Sequence, residues 1–118
     1  MVFAGSDEAL LEKLRQGLQN PYYHVWTSTD LVGVETCVAL KNAYALAVGI
    51  AVGMMERAGP DGLAHMYNPQ AAIFAQACFE MGRLLEVAGG GVENAAWLPG
   101  AGDLYVTIYG GRTLKLGK

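Results

Sequence analysis

Charge, histidine and cysteine are all scarce in this chain, and each scarcity closes off a class of function. Only 16% of the 118 residues are charged, against 53% hydrophobic, a balance that argues against disorder and for a packed core. The eight basic residues are scattered among eleven acidic ones, for a net charge of -3, so no nucleic-acid surface is expected. His24 and His65 stand alone, without metal-ligand spacing, and no metal site is expected. Cys37 and Cys78 lie in apolar runs and read as reduced core residues of a cytoplasmic protein. Met1 leads straight into VFAG and an acidic turn, which does not read as a signal peptide. A glycine-rich phosphate loop is missing too, because Gly100-Ala101-Gly102 lacks the flanking strand and the GxGxxG spacing.

The length allows one domain, or one and a fragment of another. Val2 to Ala4 reads as a short buried strand. Gly5-Ser6 turns into a helix, with Ser6 as its N-cap and Asp7 and Glu8 in the first turn. Leu10, Leu11, Leu14 and Leu18 share one face of that helix, and Asn20-Pro21 breaks it. Tyr23 to Thr29 (YHVWTST) is aromatic and β-branched, which predicts a second strand. Strand, helix, strand is a βαβ unit with parallel strands, and two such strands are too few to stand alone. Residues 1–29 therefore read as the tail end of a larger sheet.

Asp30 is the expected N-cap of a long apolar helix, Leu31 to Ala58. Ala45, Gly49 and Gly53 recur every four residues, which lets another backbone approach that face closely. The length would suffice for a membrane span, but Glu35, Lys41 and Asn42 interrupt the apolar run, so a soluble core helix is expected. Arg57 to Tyr67 reads as a loop around Gly59-Pro60-Asp61-Gly62. Asn68-Pro69 then reads as an N-cap and first helical residue. That helix runs to Gly89-Gly90-Gly91, with Phe74, Ala77, Cys78, Met81 and Leu85 as its core stripe. A short helix is expected near Glu93 to Trp97, ahead of the glycine-rich LPGAGDLYVTIYGGRT.

Three polar points stand out: Lys41-Asn42 at the centre of the long helix, Asp103, and Arg112 after Gly110-Gly111. An unpaired ammonium group is expensive to bury, so Lys41 needs a partner or a purpose. Each point also has a plain reading. Lys41 can snorkel out along the helix edge, Asp103 can cap a helix, and Arg112 can be a solvated cation.

Three blocks, taken together, resemble a known family. GVETCVALKNAYALAVGI is similar to the GVE-x-x-GALKN block of NAD(P)-dependent sn-glycerol-3-phosphate dehydrogenases. NPQAAIFAQACFEMGRL resembles that family's next helix, with its N-x-x-AAL and EM positions, and LPGAGDLYVTIYGGRT resembles its GDL-to-GRN segment. The opening VFAGSDEALLEKLRQGLQNPYYHVWTSTDLVGVE resembles the end of the dinucleotide-binding domain. The resemblance covers nearly the whole chain in family order. It implies a mainly α fold: a βαβ remnant of a Rossmann-type domain at 1–29, then part of a helical substrate-binding domain at 30–118, like the C-terminal domain of 6-phosphogluconate dehydrogenase.

By that resemblance, Lys41 is the general acid and base and Asp103 the carboxylate that orients it. Asn42 and Thr113 contact substrate, and Arg112 holds the substrate phosphate and borders the cofactor. The implied cofactor is NAD or NADP. The implied substrate is a small phosphorylated three-carbon compound, dihydroxyacetone phosphate or sn-glycerol 3-phosphate. Reducing that ketone needs a hydride on carbon and a proton on oxygen, and a lysine in apolar surroundings suits the proton. Arginine offers a planar fork for a phosphate dianion. Thr113 departs from the family's asparagine, and Val38 from its glycine. The cofactor's GxGxxG turn and the family's additional N-terminal lysine are missing from these residues. Two other readings compete: a non-catalytic helical scaffold used for assembly, and a small membrane-associated helical protein.

The apolar face of LLEKLRQGL and the strand edges would meet water in a monomer, and such surfaces recruit partners. The chain is therefore expected to be a homo-oligomer, with a two-fold dimer favoured and an interface of roughly 2,000 Å² or more. Light scattering at micromolar concentration checks this, and a stable monomer would refute it.

Overall fold

The structure, a computed structural model, describes residues 1–59 and 67–118. The expected turn at Pro60-Asp61-Gly62 and His65 lie outside the described residues. The architecture is mainly helical, with a two-stranded parallel sheet at the N-terminus. Strand β1 (Val2–Ala4) pairs in parallel with β2 (Trp26–Ser28), Val2 opposite Trp26, across helix α1 (Glu8–Leu18). The βαβ reading holds. However, β2 is shorter than Tyr23–Thr29, because β1 offers only three residues to pair with, and β1 is half-buried where a buried strand was expected. The α1 cap is Asp7, not Ser6: its carboxylate accepts from the Leu10 amide at 3.0 Å. Of the four leucines on α1, Leu11 is buried, while Leu10, Leu14 and Leu18 remain exposed.

Helix α2 (Leu31–Arg57) begins where the Asp30 carboxylate accepts from the Gly33 amide at 2.8 Å. Helix α3 (Tyr67–Ala88) already includes Tyr67, so Asn68 is not its cap. Pro69 falls in its first turn, where a missing amide hydrogen costs nothing. The helix stops at Gly89, whose φ of +80° is the left-handed conformation that glycine tolerates best. The Gly90 amide then turns back to the Leu85 carbonyl at 3.0 Å. A 3₁₀ turn (Val92–Ala96) and a π-helical turn (Leu98–Gly102) lead into α4 (Asp103–Gly110) and the short α5 (Arg112–Gly117). The main core lies where α2, α3 and α4 meet, around Cys37, Ala45, Ala77, Met81, Leu85, Ala95 and Leu104, all buried. The expected stripe on α3 supplies three of these, and Phe74 and Cys78 pack beside them. Both cysteines are free.

By length and composition α2 could cross a membrane. Here its Ala45, Val48, Gly49 and Gly53 side is buried by the protein's own elements. The four-residue glycine spacing explains how. A Cβ on Gly49 would stand 2.5 Å from the Leu114 carbonyl oxygen, and one on Gly117 would stand 2.4 Å from the Leu46 carbonyl oxygen. Helices α2 and α5 therefore cross backbone to backbone, glycine against glycine.

That contact predicts opposite results for two glycine substitutions. Gly49→Ala should cost about 1–3 kcal/mol of stability through overpacking against rigid backbone. Gly17→Ala, where a Cβ meets nothing within 4 Å, should gain up to about 1 kcal/mol from helix propensity. Urea denaturation midpoints of the two variants check both signs.

Candidate active site

Lys41 lies ten residues into α2. Its Nζ donates to Asp103 Oδ2 at 2.5 Å, joining residues 62 apart in sequence. Asp103 is the first residue of α4, and its side chain crosses to α2 instead of capping its own helix. Neither partner is fully sequestered, the side chains being 20% and 27% exposed. Water can therefore still reach the ammonium while the carboxylate fixes its direction. One residue along, Asn42 Oδ1 accepts from Thr113 Oγ1 at 3.4 Å, a long contact between α2 and α5. Arg112 opens α5 beside Thr113 and is exposed.

A cleft of about 380 Å³ runs between the N-terminal strand and the helices. Met1, Val2, Val34, Val38, Leu98 and Asp103 are among its lining residues. The sequence-predicted residues thus form two adjoining groups. Lys41 and Asp103 are paired, with Asp103 in the cleft wall. Asn42 and Thr113 touch each other, with Arg112 next in the chain. Arg112 does not line the cleft. Val38 fills part of the wall.

Two polar features went unread in the sequence. Asp30 does more than cap α2: its Oδ2 also accepts from the Gly91 amide at 2.7 Å and from Asn94 Nδ2 at 2.6 Å. Asn94, only 3% exposed, is the one buried polar side chain among the described residues. A lone asparagine after a glycine run looks like an ordinary turn residue, so its sequence context carried no signal. The second feature is Tyr44, whose hydroxyl donates to Glu80 Oε2 at 3.1 Å across α2 and α3. Burial, then that hydrogen bond and the Glu80 charge, push the phenol up to about 12. Burial, reinforced by the Asp30 and Cys78 charges, also pushes the Cys37 thiol up to about 11, as befits an inert core cysteine.

Comparison with known proteins decides the family. The model for the NAD-dependent glycerol-3-phosphate dehydrogenase C-terminus matches residues 30–118. The chain belongs to that family. It is 35% identical, over its whole length, to the NADP(+)-dependent glycerol-3-phosphate dehydrogenase of Archaeoglobus fulgidus, covering 34% of that protein. It is 39% identical over 108 residues to a glycerol-3-phosphate dehydrogenase [NAD(P)+] of Koribacter versatilis, covering 92% of this chain and 29% of that one. The crystal structure of glycerol-3-phosphate dehydrogenase from Coxiella burnetii superposes with a TM-score of 0.81 at 32% identity. That match covers 98% of this chain and 34% of the other. The chain thus spans about a third of the length of the curated relatives it matches.

The Tyr44 contact generates a pH prediction. A phenol whose folded value is raised above its ordinary 10 to about 12 holds its proton more tightly in the folded state. Its stabilising share is therefore complete below pH 10 and is lost as pH rises through 12. Urea midpoints should fall over that window, and Tyr44→Phe should remove the tyrosine's part of the fall.

Proposed function

We propose that this chain is the substrate-side segment of an NAD(P)-dependent glycerol-3-phosphate dehydrogenase, interconverting dihydroxyacetone phosphate and sn-glycerol 3-phosphate in the cytoplasm. The Lys41–Asp103 pair at the edge of an apolar cleft carries the reading. Lys41 Nζ delivers a proton to the ketone oxygen during reduction and takes it back during oxidation, while Asp103 holds the ammonium in line. Arg112 grips the phosphate by its two parallel N–H groups, with Asn42 and Thr113 beside it, and so sets the distance from Lys41 to the carbonyl. Bound NAD(P) supplies or accepts the hydride. The apolar wall of Val34, Val38 and Leu98 suits a flat ring. No glycine-rich turn among the described residues fits a pyrophosphate. The isolated 118 residues should accordingly bind substrate without turning it over. We place the division between the two parts of the chain at residues 29 and 30. We read α2 as a core helix, not a span, and the exposed Leu10, Leu14 and Leu18 face as the contact that makes the chain a homo-oligomer, favouring a dimer.

Titration of the chain with sn-glycerol 3-phosphate, followed by NMR, tests the reading. Arg112→Ala should weaken binding about tenfold or more, as the loss of a charge-assisted pair implies. Unchanged binding would overturn the assignment. In a chimera carrying this segment inside the Archaeoglobus fulgidus relative, Lys41→Ala should lower turnover by about 10²–10⁴ with phosphate binding kept.

A further inference from the structure

The Lys41–Asp103 pair joins α2 to the first residue of α4, and a second carboxylate, Asp30, joins α2 to the 3₁₀ turn upstream of it. Asp30 Oδ1 starts α2, the helix that carries Lys41. Asp30 Oδ2 receives the Gly91 amide and Asn94 Nδ2, so it also holds the 3₁₀ turn that leads towards Asp103. Asn94 Nδ2 reaches the Gly91 carbonyl as well, at 3.1 Å, which occupies both of its hydrogens. From the 3₁₀ turn the position passes to the π-helical turn by direct contact. A Cβ on Gly100 would stand 2.4 Å from the Ala95 carbonyl oxygen and 2.5 Å from that of Asn94. Asp103 follows the π-helical turn directly. Gly33 and Gly90 close the other side, since a Cβ on Gly90 would lie 2.7 Å from the Gly33 Cα.

These contacts form a ring: Asp30, α2, Lys41, Asp103, the two turns, Asn94, and back to Asp30. We infer that Asp30 and Asn94 are positioning residues, which set where the Asp103 carboxylate meets Lys41 without touching substrate. The inference rests on the dehydrogenase reading only for its importance to turnover. Its test observes the pair itself, so either idea can fail without the other.

Asp30→Ser separates the two duties of the carboxylate. Serine keeps an oxygen for the helix cap but has no second oxygen for Gly91 and Asn94. Asn94→Ala removes the donor from the other end. The readout is the acetylation rate of Lys41 in the intact chain, by peptide mass spectrometry, with exposed Lys13 and Lys115 as internal references and Asp103→Asn as the limit for a broken pair. Circular dichroism reports helix content. The expected result is a rise of about fivefold at Lys41 alone, the population change that accompanies one lost hydrogen bond, with helix content unchanged in Asp30→Ser. An unchanged Lys41 rate in both variants overturns the inference. So does a uniform rise at all three lysines, or a loss of helix signal in Asp30→Ser, because a purely structural role produces those.

Discussion

Helix α2 can touch every later element among the described residues because it has almost no side chain where its neighbours come closest. Gly49 meets α5 backbone to backbone, and Gly53 lies against the C-terminal Lys118, whose carbonyl oxygen would stand 2.6 Å from an added Cβ. Dispersion and close packing then act between main chains, with little rotamer entropy to lose. The separation is set by backbone dimensions, so the geometry is stiff. Everything placed on the far side of that contact inherits its position from it.

The sparse charges are used in the same way. Two lysine–carboxylate pairs each span 62 residues: Lys41 with Asp103, and Lys118 with Glu56. Both tie the last part of the chain to α2, one near its middle and one near its end. The first is half-buried; the second is more exposed and contributes little beyond orientation. Between them, the glycine contact fixes the distance from α5 to α2.

What could be read in the sequence was what is local. Asp30 as a cap, the glycine stop after Ala88, the four-residue spacing on α2 and the α3 stripe all follow from neighbours within a turn or two. Errors were local too. Asp7 displaced Ser6 because either short polar side chain can cap, and β2 shrank because its partner, not its own propensity, sets ladder length. The Lys41–Asp103 pairing was not readable from spacing, since a separation of 62 residues says nothing about who meets whom; family resemblance suggested it. Asn94 was missed altogether. Its role arises only when Asp30 arrives from another part of the chain.

The brevity of α5 has a consequence for how the protein moves. Six residues are too few to nucleate and hold a helix in water, so its order is borrowed from the glycine contact with α2. Local opening therefore has a natural boundary: α5 can detach and fray as a unit while α2, α3 and α4 stay folded. Such opening would break the long Thr113–Asn42 contact and carry Arg112 away, yet leave Lys41 and Asp103 together. The two halves of the candidate site then sit on different rungs of the stability ladder. The Arg112–Thr113 half can come and go while the Lys41–Asp103 half persists.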